Sequence, residues 1–196
     1  MTFVDIIEQF IPISPVEKAA LQAACTRRLI HKGTVYLRSG EVCSHICFIG
    51  TGKIRSSYLH ESGQDFTWNF HFNDRDSKFE NYFPFDYLSF LNRSPTYLNF
   101  EALEDAEVTL LSFERLSFLF SLGSKYQEIG RIMTQKAYTS THHRTFSLLT
   151  QSGEERYTAL LAEEPYLLQK FPQYQIAKYL GLAPESLSRI RKTLAS

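Results

Sequence analysis

The stretch "PESLSRIRK" at 184–192 places Glu185, Ser188, Arg189 and Lys192 three and four residues apart, with Ser186 beside them and Leu187 and Ile190 on the opposite side of a helix. Those polar types suit the edges of bases in a major groove. Arginine bonds bidentately to guanine O6 and N7, glutamate accepts from the cytosine amino group, and serine adapts to either strand. Other reactive residues lack partners at useful spacing. Cys43-x3-Cys47 supplies two metal ligands at most, and Cys25 is no third or fourth at zinc or iron–sulfur spacing, so all three read as reduced core thiols. His71 and the pair His142-His143 leave a haem sensor open. His45, near Cys47, and His60, beside Glu61, form no His-x-His pattern with a later carboxylate. No catalytic residue, no metal site and no cofactor is expected.

The polar helix needs a support. Gln173 to Leu180 reads as one short helix, Gly181-Leu182-Ala183 as a turn and Pro184 to Leu194 as a second helix. Ile176, Leu180, Leu182, Leu187 and Ile190 are spaced to face inward, Ala177 is small where the helices cross, and Gly181 supplies the left-handed residue of a tight bend. The result is a helix-turn-helix. Lys170, Lys178, Arg189, Arg191 and Lys192 stand against the single acid Glu185 from position 170 onward, a local excess of basic charge in a chain whose net charge is zero.

Upstream, apolar spacing and the capping pattern Ser14-Pro15-Val16-Glu17 predict two short helices. From His31 the period changes to short strand runs broken by Gly33, Gly40, Gly50, Gly52 and Gly63, the pattern of a small antiparallel barrel or roll. Strand character returns at Val108 to Leu111. Between Lys125 and Leu149 there is no proline and one glycine, which predicts a helix about 37 Å long at 1.5 Å per residue. Its seam, Tyr126, Ile129, Met133, Ala137, Ser140, Arg144 and Leu148, is an imperfect coiled-coil stripe, usable to pair two chains or to pack the helix on its own barrel. Ser152-x-x-Glu155 is a further capping box that opens a small helical C-terminal domain. With 196 residues and 43% apolar content the chain suffices for one full core plus a small second domain. No apolar run long enough to span a membrane and no leader is seen, so the expected location is the cytoplasm, without membrane contact.

This order of parts, ending in "IAKYLGLAPESLSRIRK", resembles the Crp/Fnr superfamily of bacterial transcription regulators, homologues of the cyclic-AMP receptor protein, over nearly the whole chain. The resemblance implies an α+β fold: a cyclic-nucleotide-binding-like β-roll (a jelly-roll barrel) over 1–120, a long dimerisation helix and hinge over 121–151, and a helix-turn-helix domain over 152–196. It implies a homodimer on double-stranded DNA, with RNA polymerase as a further partner. By position, Glu185 and Arg189 match base-reading residues, Ser186 a hydroxyl on the phosphate backbone, and Gln173 and Tyr174 phosphate contacts, with Lys192 placed to join them.

The chain departs from the family pattern in three places. Pro184 stands where the family often has arginine, which alters readout on that side. The segment that usually follows the recognition helix is absent, so the last helix is expected to be the working surface. In the family's cyclic-nucleotide cassette the acidic position falls on Asp86 and the phosphate-binding arginine on Thr96, followed by Tyr97, while Phe85 replaces the preceding glycine. Arg93, three residues earlier, is the one substitute cation. An effector other than cyclic AMP is therefore expected, and Phe79, Tyr82, Phe83, Phe85, Tyr87, Phe90 and Tyr97 either line a site for an apolar or planar molecule or fill the core. The alternative reading is a small-molecule-binding or metal-dependent cupin-like enzyme with a vestigial helix-turn-helix.

Overall fold

The computed structural model describes residues 1–195. Helices α1 (Phe3–Glu8) and α2 (Pro15–Ala24) each start in a capping box, in which Thr2 and Ser14 accept from the third amide and Asp5 and Glu17 reach back to the cap. Seven strands follow among the described residues: β1 (Thr26–Ile30), β2 (Val35–Leu37), β3 (His45–Thr51), β4 (Ile54–Leu59), β5 (Asp65–His71), β6 (Asn99–Ala102) and β7 (Ala106–Ser112). They form two antiparallel sheets, β1-β7-β3 and β2-β6-β4-β5. Ile30, Cys47, Ile49, Ile54, Phe100 and Val108 pack between them, with Phe90 from α3 (Tyr87–Asn92). Cys43 and Cys47 are buried in this core, and burial pushes the Cys43 thiol up to about 11. Gly52 closes the β3–β4 turn at φ +89, where a Cβ would stand 2.4 Å from the Asp105 carbonyl oxygen, so only glycine fits.

Helix α4 (Phe113–Leu122) leads into α5 (Ser124–Thr150), whose 27 residues bracket the predicted span. Tyr126, Ile129, Ile132 and Met133 pack against α1, α2 and α4. Ala137, Ser140, Arg144 and Leu148 are half-buried on the same side. From Tyr126 to Met133 the seam packs on the helix's own chain, the second of the two uses the sequence allowed, while Ala137, Ser140 and Arg144 border an open cleft. The apolar side chains left exposed lie on another face: Tyr138, Phe146 and Leu149, the last 80% exposed.

After Gln151 the chain re-enters helix at the Ser152 capping box, giving α6 (Gly153–Glu163), then α7 (Leu167–Lys170), α8 (Gln173–Tyr179) and α9 (Pro184–Ala195). These helices do not hang free. Phe70 and Phe72 of the β5 region share one buried cluster with Tyr157, Leu160, Phe171, Tyr179 and Leu187, and the Phe70 and Phe171 rings stack at 3.9 Å. The alternation of β5 explains this: Asn69 and His71 turn toward Glu80 and Ser56, leaving Phe70 to the helices. Among the described residues no helix is long and apolar enough to cross a membrane.

Candidate nucleic-acid interface and its neighbouring cleft

Helices α8 and α9 meet at a turn where Gly181 has φ +67 and Leu182 N–H donates to the Ala177 carbonyl at 2.9 Å. Ile176, Ala177 and Leu187 are fully buried, and the absent side-chain bulk at Ala177 lets α9 approach. Pro184 occupies the first position of α9, where its missing N–H costs no helical hydrogen bond. Gln173, Tyr174, Glu185, Ser188, Arg189 and Lys192 are exposed and Ser186 is half-buried. On α9, Glu185, Arg189 and Lys192 share one face at successive turns. Neither they nor Arg191 enters an ion pair among the described residues.

The basic excess counted along the sequence is smaller at this face. Lys170 pairs with Asp74 at 2.6 Å and Asp76 at 2.9 Å, and Lys178 pairs with Asp65 at 2.7 Å. Asp65 in turn accepts from Arg55 at 2.9 Å. Burial raises the Asp65 carboxyl, but the hydrogen bonds and charges of Lys178 and Arg55 outweigh it and hold the group below its ordinary value. Two of the five cations therefore tie the helices to the roll, and Arg189, Arg191 and Lys192 remain without an ion pair among the described residues.

Sequence reasoning placed Arg144 in the seam of the long helix without finding its role, and missed Arg156. Arg144 of α5 donates to the Thr67 and Trp68 carbonyls of β5 and to the Tyr179 carbonyl at the end of α8, at 3.1, 2.9 and 2.5 Å. Arg156 of α6 donates to the Leu180 carbonyl at 2.8 Å and to the Gln151 carbonyl. The available signal was a polar arginine interrupting the otherwise apolar or small seam of the long helix.

Beside this junction a cleft of about 1520 Å³ runs between the β2-β6-β4-β5 sheet, α3 and α5, lined by Trp68, His71, Phe85, Phe100, Ala137 and Ser140 among others. Burial pushes His71 down to about 3, so its ring is neutral. Its Nδ1–H donates to the Glu80 carbonyl, which leaves Nε2 to accept the Ser56 hydroxyl at 3.0 Å. Asp86 and Tyr97 line the cleft, whereas Arg93 and Thr96 do not. Both Asp86 oxygens have partners: one accepts from Ser89 N–H at the start of α3, the other from the Thr96 hydroxyl at 2.5 Å. Arg93 ends α3 in the left-handed conformation, φ 53, and its guanidinium donates to the Cys43 carbonyl and lies 5.0 Å over Phe113. Asp86 and Thr96 thus meet each other, Arg93 turns into the roll, and Tyr97 stands 72% exposed at the rim. Of the aromatic set, Phe83 and Phe90 are buried and also border the cleft, whereas Tyr82 is buried and does not border it. Among the described residues no three His, Cys, Asp or Glu side chains gather as metal ligands would.

No family model matches the chain, and no curated protein does. Solved structures do. FixK2 from Bradyrhizobium japonicum is 21% identical, with a TM-score of 0.69 over 87% of this chain and 84% of its own. CLP from Xanthomonas campestris, described as a c-di-GMP-responsive global regulator, is 16% identical, with a TM-score of 0.67 over 93% and 92%. A protein from Eubacterium rectale assigned to the Crp/Fnr transcriptional regulators is 16% identical, with a TM-score of 0.68 over 96% and 88%. At such identities the likeness speaks for the fold, and the chain has the β-roll, long helix and C-terminal helix-turn-helix architecture of Crp/Fnr-type regulators.

Proposed function

We propose that the protein is a DNA-binding transcription regulator of the Crp/Fnr type, a cytoplasmic homodimer and not an enzyme. The observation that carries this reading is the outer face of α9. Glu185, Ser188, Arg189 and Lys192 are exposed and free of internal ion pairs on a helix whose opposite face holds it firmly to α8. In this reading Glu185 and Arg189 reach base edges, Ser186, Gln173, Tyr174 and Lys192 contact phosphate, and two copies read half-sites about 34 Å apart on a pseudo-palindrome. The exposed Tyr138, His142, Phe146 and Leu149 of α5 favour pairing along that outward face. A two-fold axis beside it would also cover the exposed Leu88 and Leu91 of α3. RNA polymerase is a further partner in this reading. The effector in this reading is not cyclic AMP, since Arg93 and both oxygens of Asp86 already have internal partners; an apolar or planar molecule suits the cleft better. The reading as a metal-dependent enzyme would need a cluster of His, Cys, Asp or Glu ligands, and the described residues offer none. Selection from a randomised duplex pool, followed by fluorescence anisotropy with and without cyclic AMP, tests the proposal. A two-fold-symmetric site bound equally in both conditions is expected. Enrichment only with the nucleotide overturns the effector assignment, and no enriched site overturns the regulator reading.

A further inference from the structure

The turn that launches α9 is held from outside the helix pair by two half-buried arginines. The last carbonyls of a helix lack intrahelical partners and form the negative end of its dipole. In α8 and its cap, two of these, Tyr179 and Leu180, accept from Arg144 and Arg156. Arg144 has no ion pair among the described residues, and its guanidinium lies 3.8 Å from the centroid of the Tyr179 ring. A half-buried cation without a carboxylate in contact is stabilised by oriented carbonyls and by the ring face, so moving α8 off β5 would take partners from the charge.

The other end of the same fork sits on the cleft wall. Between Ser56 and Ser57 the β4–β5 register slips: Ser56 pairs with Asn69 and Ser57 with Thr67, so Trp68 has no counterpart in β4. The bulge frees the Trp68 carbonyl, which accepts from Arg144. Trp68, Arg144, Tyr179 and Leu180 all border the cleft. In the two strands beneath α8, Arg55 Nε and Thr67 Oγ1 are buried without a hydrogen-bond partner, which lowers the cost of separating α8 from the roll.

We propose that Arg144 is a positioning residue for DNA recognition: its guanidinium joins the β5 bulge in the cleft wall to the turn before the recognition helix. A molecule that displaces the bulge or takes the Trp68 carbonyl must then shift or release α9. The inference rests on the DNA-binding reading for its consequence but not for its geometry.

The full chain offers its own probe, since Trp68 is the sole tryptophan. Variants Arg144→Met and Arg144→Lys would be compared with the parent by tryptophan emission, by hydrogen exchange of α8, and by affinity for the selected duplex and for random duplex. The expected result for Arg144→Met is a red-shifted emission, faster exchange in α8 and a loss of specific affinity of about 10-fold or more, the factor of one charge-assisted hydrogen bond. Random-duplex binding should change by less than about 2-fold, because it depends on phosphate charge at α9. Arg144→Lys keeps the cation but not the fork and should fall between; it also carries the test if the Met variant fails to fold. Unchanged emission, exchange and specific affinity in a folded variant overturn the proposal, as does equal loss on both duplexes with α8 exchange unaltered. Should the parent select no duplex, the DNA reading falls by itself, and emission and exchange still decide whether Arg144 holds α8.

Discussion

Replacing Phe70 by Ala tests whether the C-terminal helices and the β-roll share one core. Phe70 lies on β5, is fully buried, stacks on Phe171 at 3.9 Å with an interplanar angle of 14°, and meets the Tyr179 ring at 5.4 Å. Truncating a ring so enclosed removes its transfer free energy and leaves a cavity, about 3 to 5 kcal/mol together. Of this, about 0.5 to 1.5 kcal/mol belongs to the aromatic pair geometry. Against a total stability of about 5 to 15 kcal/mol, that is a large fraction. With a urea slope of about 2 to 3 kcal/mol per molar, the midpoint should fall by about 1 to 2.5 M. Unfolding would be followed at fixed protein concentration by Trp68 fluorescence, which reports the junction, and by far-UV circular dichroism, which reports the helices. Both transitions should move together by the same amount. A helical transition that separates from the fluorescence transition and does not move would refute the shared core.

Arg189→Ala should relax one position of each half-site at a cost of about 1 to 3 kcal/mol per half-site, read by anisotropy on matched and single-substituted duplexes; equal loss on random DNA would contradict a base contact. Gly181→Ala forces a side chain into a left-handed conformation and should destabilise by about 1 to 2 kcal/mol in urea unfolding. His71 is held neutral by burial, with its folded value pushed down to about 3. Below its ordinary value near 6.5 the unfolded chain takes up the proton and the folded chain does not. The stability it contributes is therefore complete above about pH 6.5 and declines as pH falls toward 3, by about 2 kcal/mol at pH 5. His71→Gln should flatten urea midpoints over pH 5 to 7, whatever its effect on the midpoint at pH 7.

The helix-turn-helix is legible in sequence because its determinants are local: the apolar spacing from Ile176 to Ile190, the left-handed Gly181, and proline at the start of α9. The span of α5 is legible for the same reason, as a long interval without proline. What the seam of α5 packs against is not, since the stripe of Tyr126, Ile129 and Met133 suits a second chain as well as the roll, and Tyr138 and Phe146 on another face are as apolar in type. The docking of α8 on β5 depends on pairs far apart in the chain, Lys170 with Asp74 and Lys178 with Asp65, which spacing cannot join. One clue was present in "FTWNFHF" at 66–72. By alternation Phe66, Trp68, Phe70 and Phe72 fall on one face that needs a cover; the bulge at Trp68, which spacing does not show, divides them, so that Arg144 of α5 lies over Phe66 and Trp68 while the C-terminal helices cover Phe70 and Phe72. At the cassette, Asp86 and Thr96 stand at the spacing of a ligand-binding pair, but a hydrogen bond between the two side chains satisfies the same spacing without a ligand.

Missing-base interference and hydroxyl-radical footprinting on a selected duplex examine directly whether α9 reads DNA as one of a symmetric pair. The expected pattern is two interference clusters in successive major grooves on one face of the duplex, about 10 base pairs apart, each with a guanine signal that disappears in Arg189→Ala. A single cluster, or uniform protection unaffected by that substitution, would contradict recognition by a two-fold pair of α9 helices.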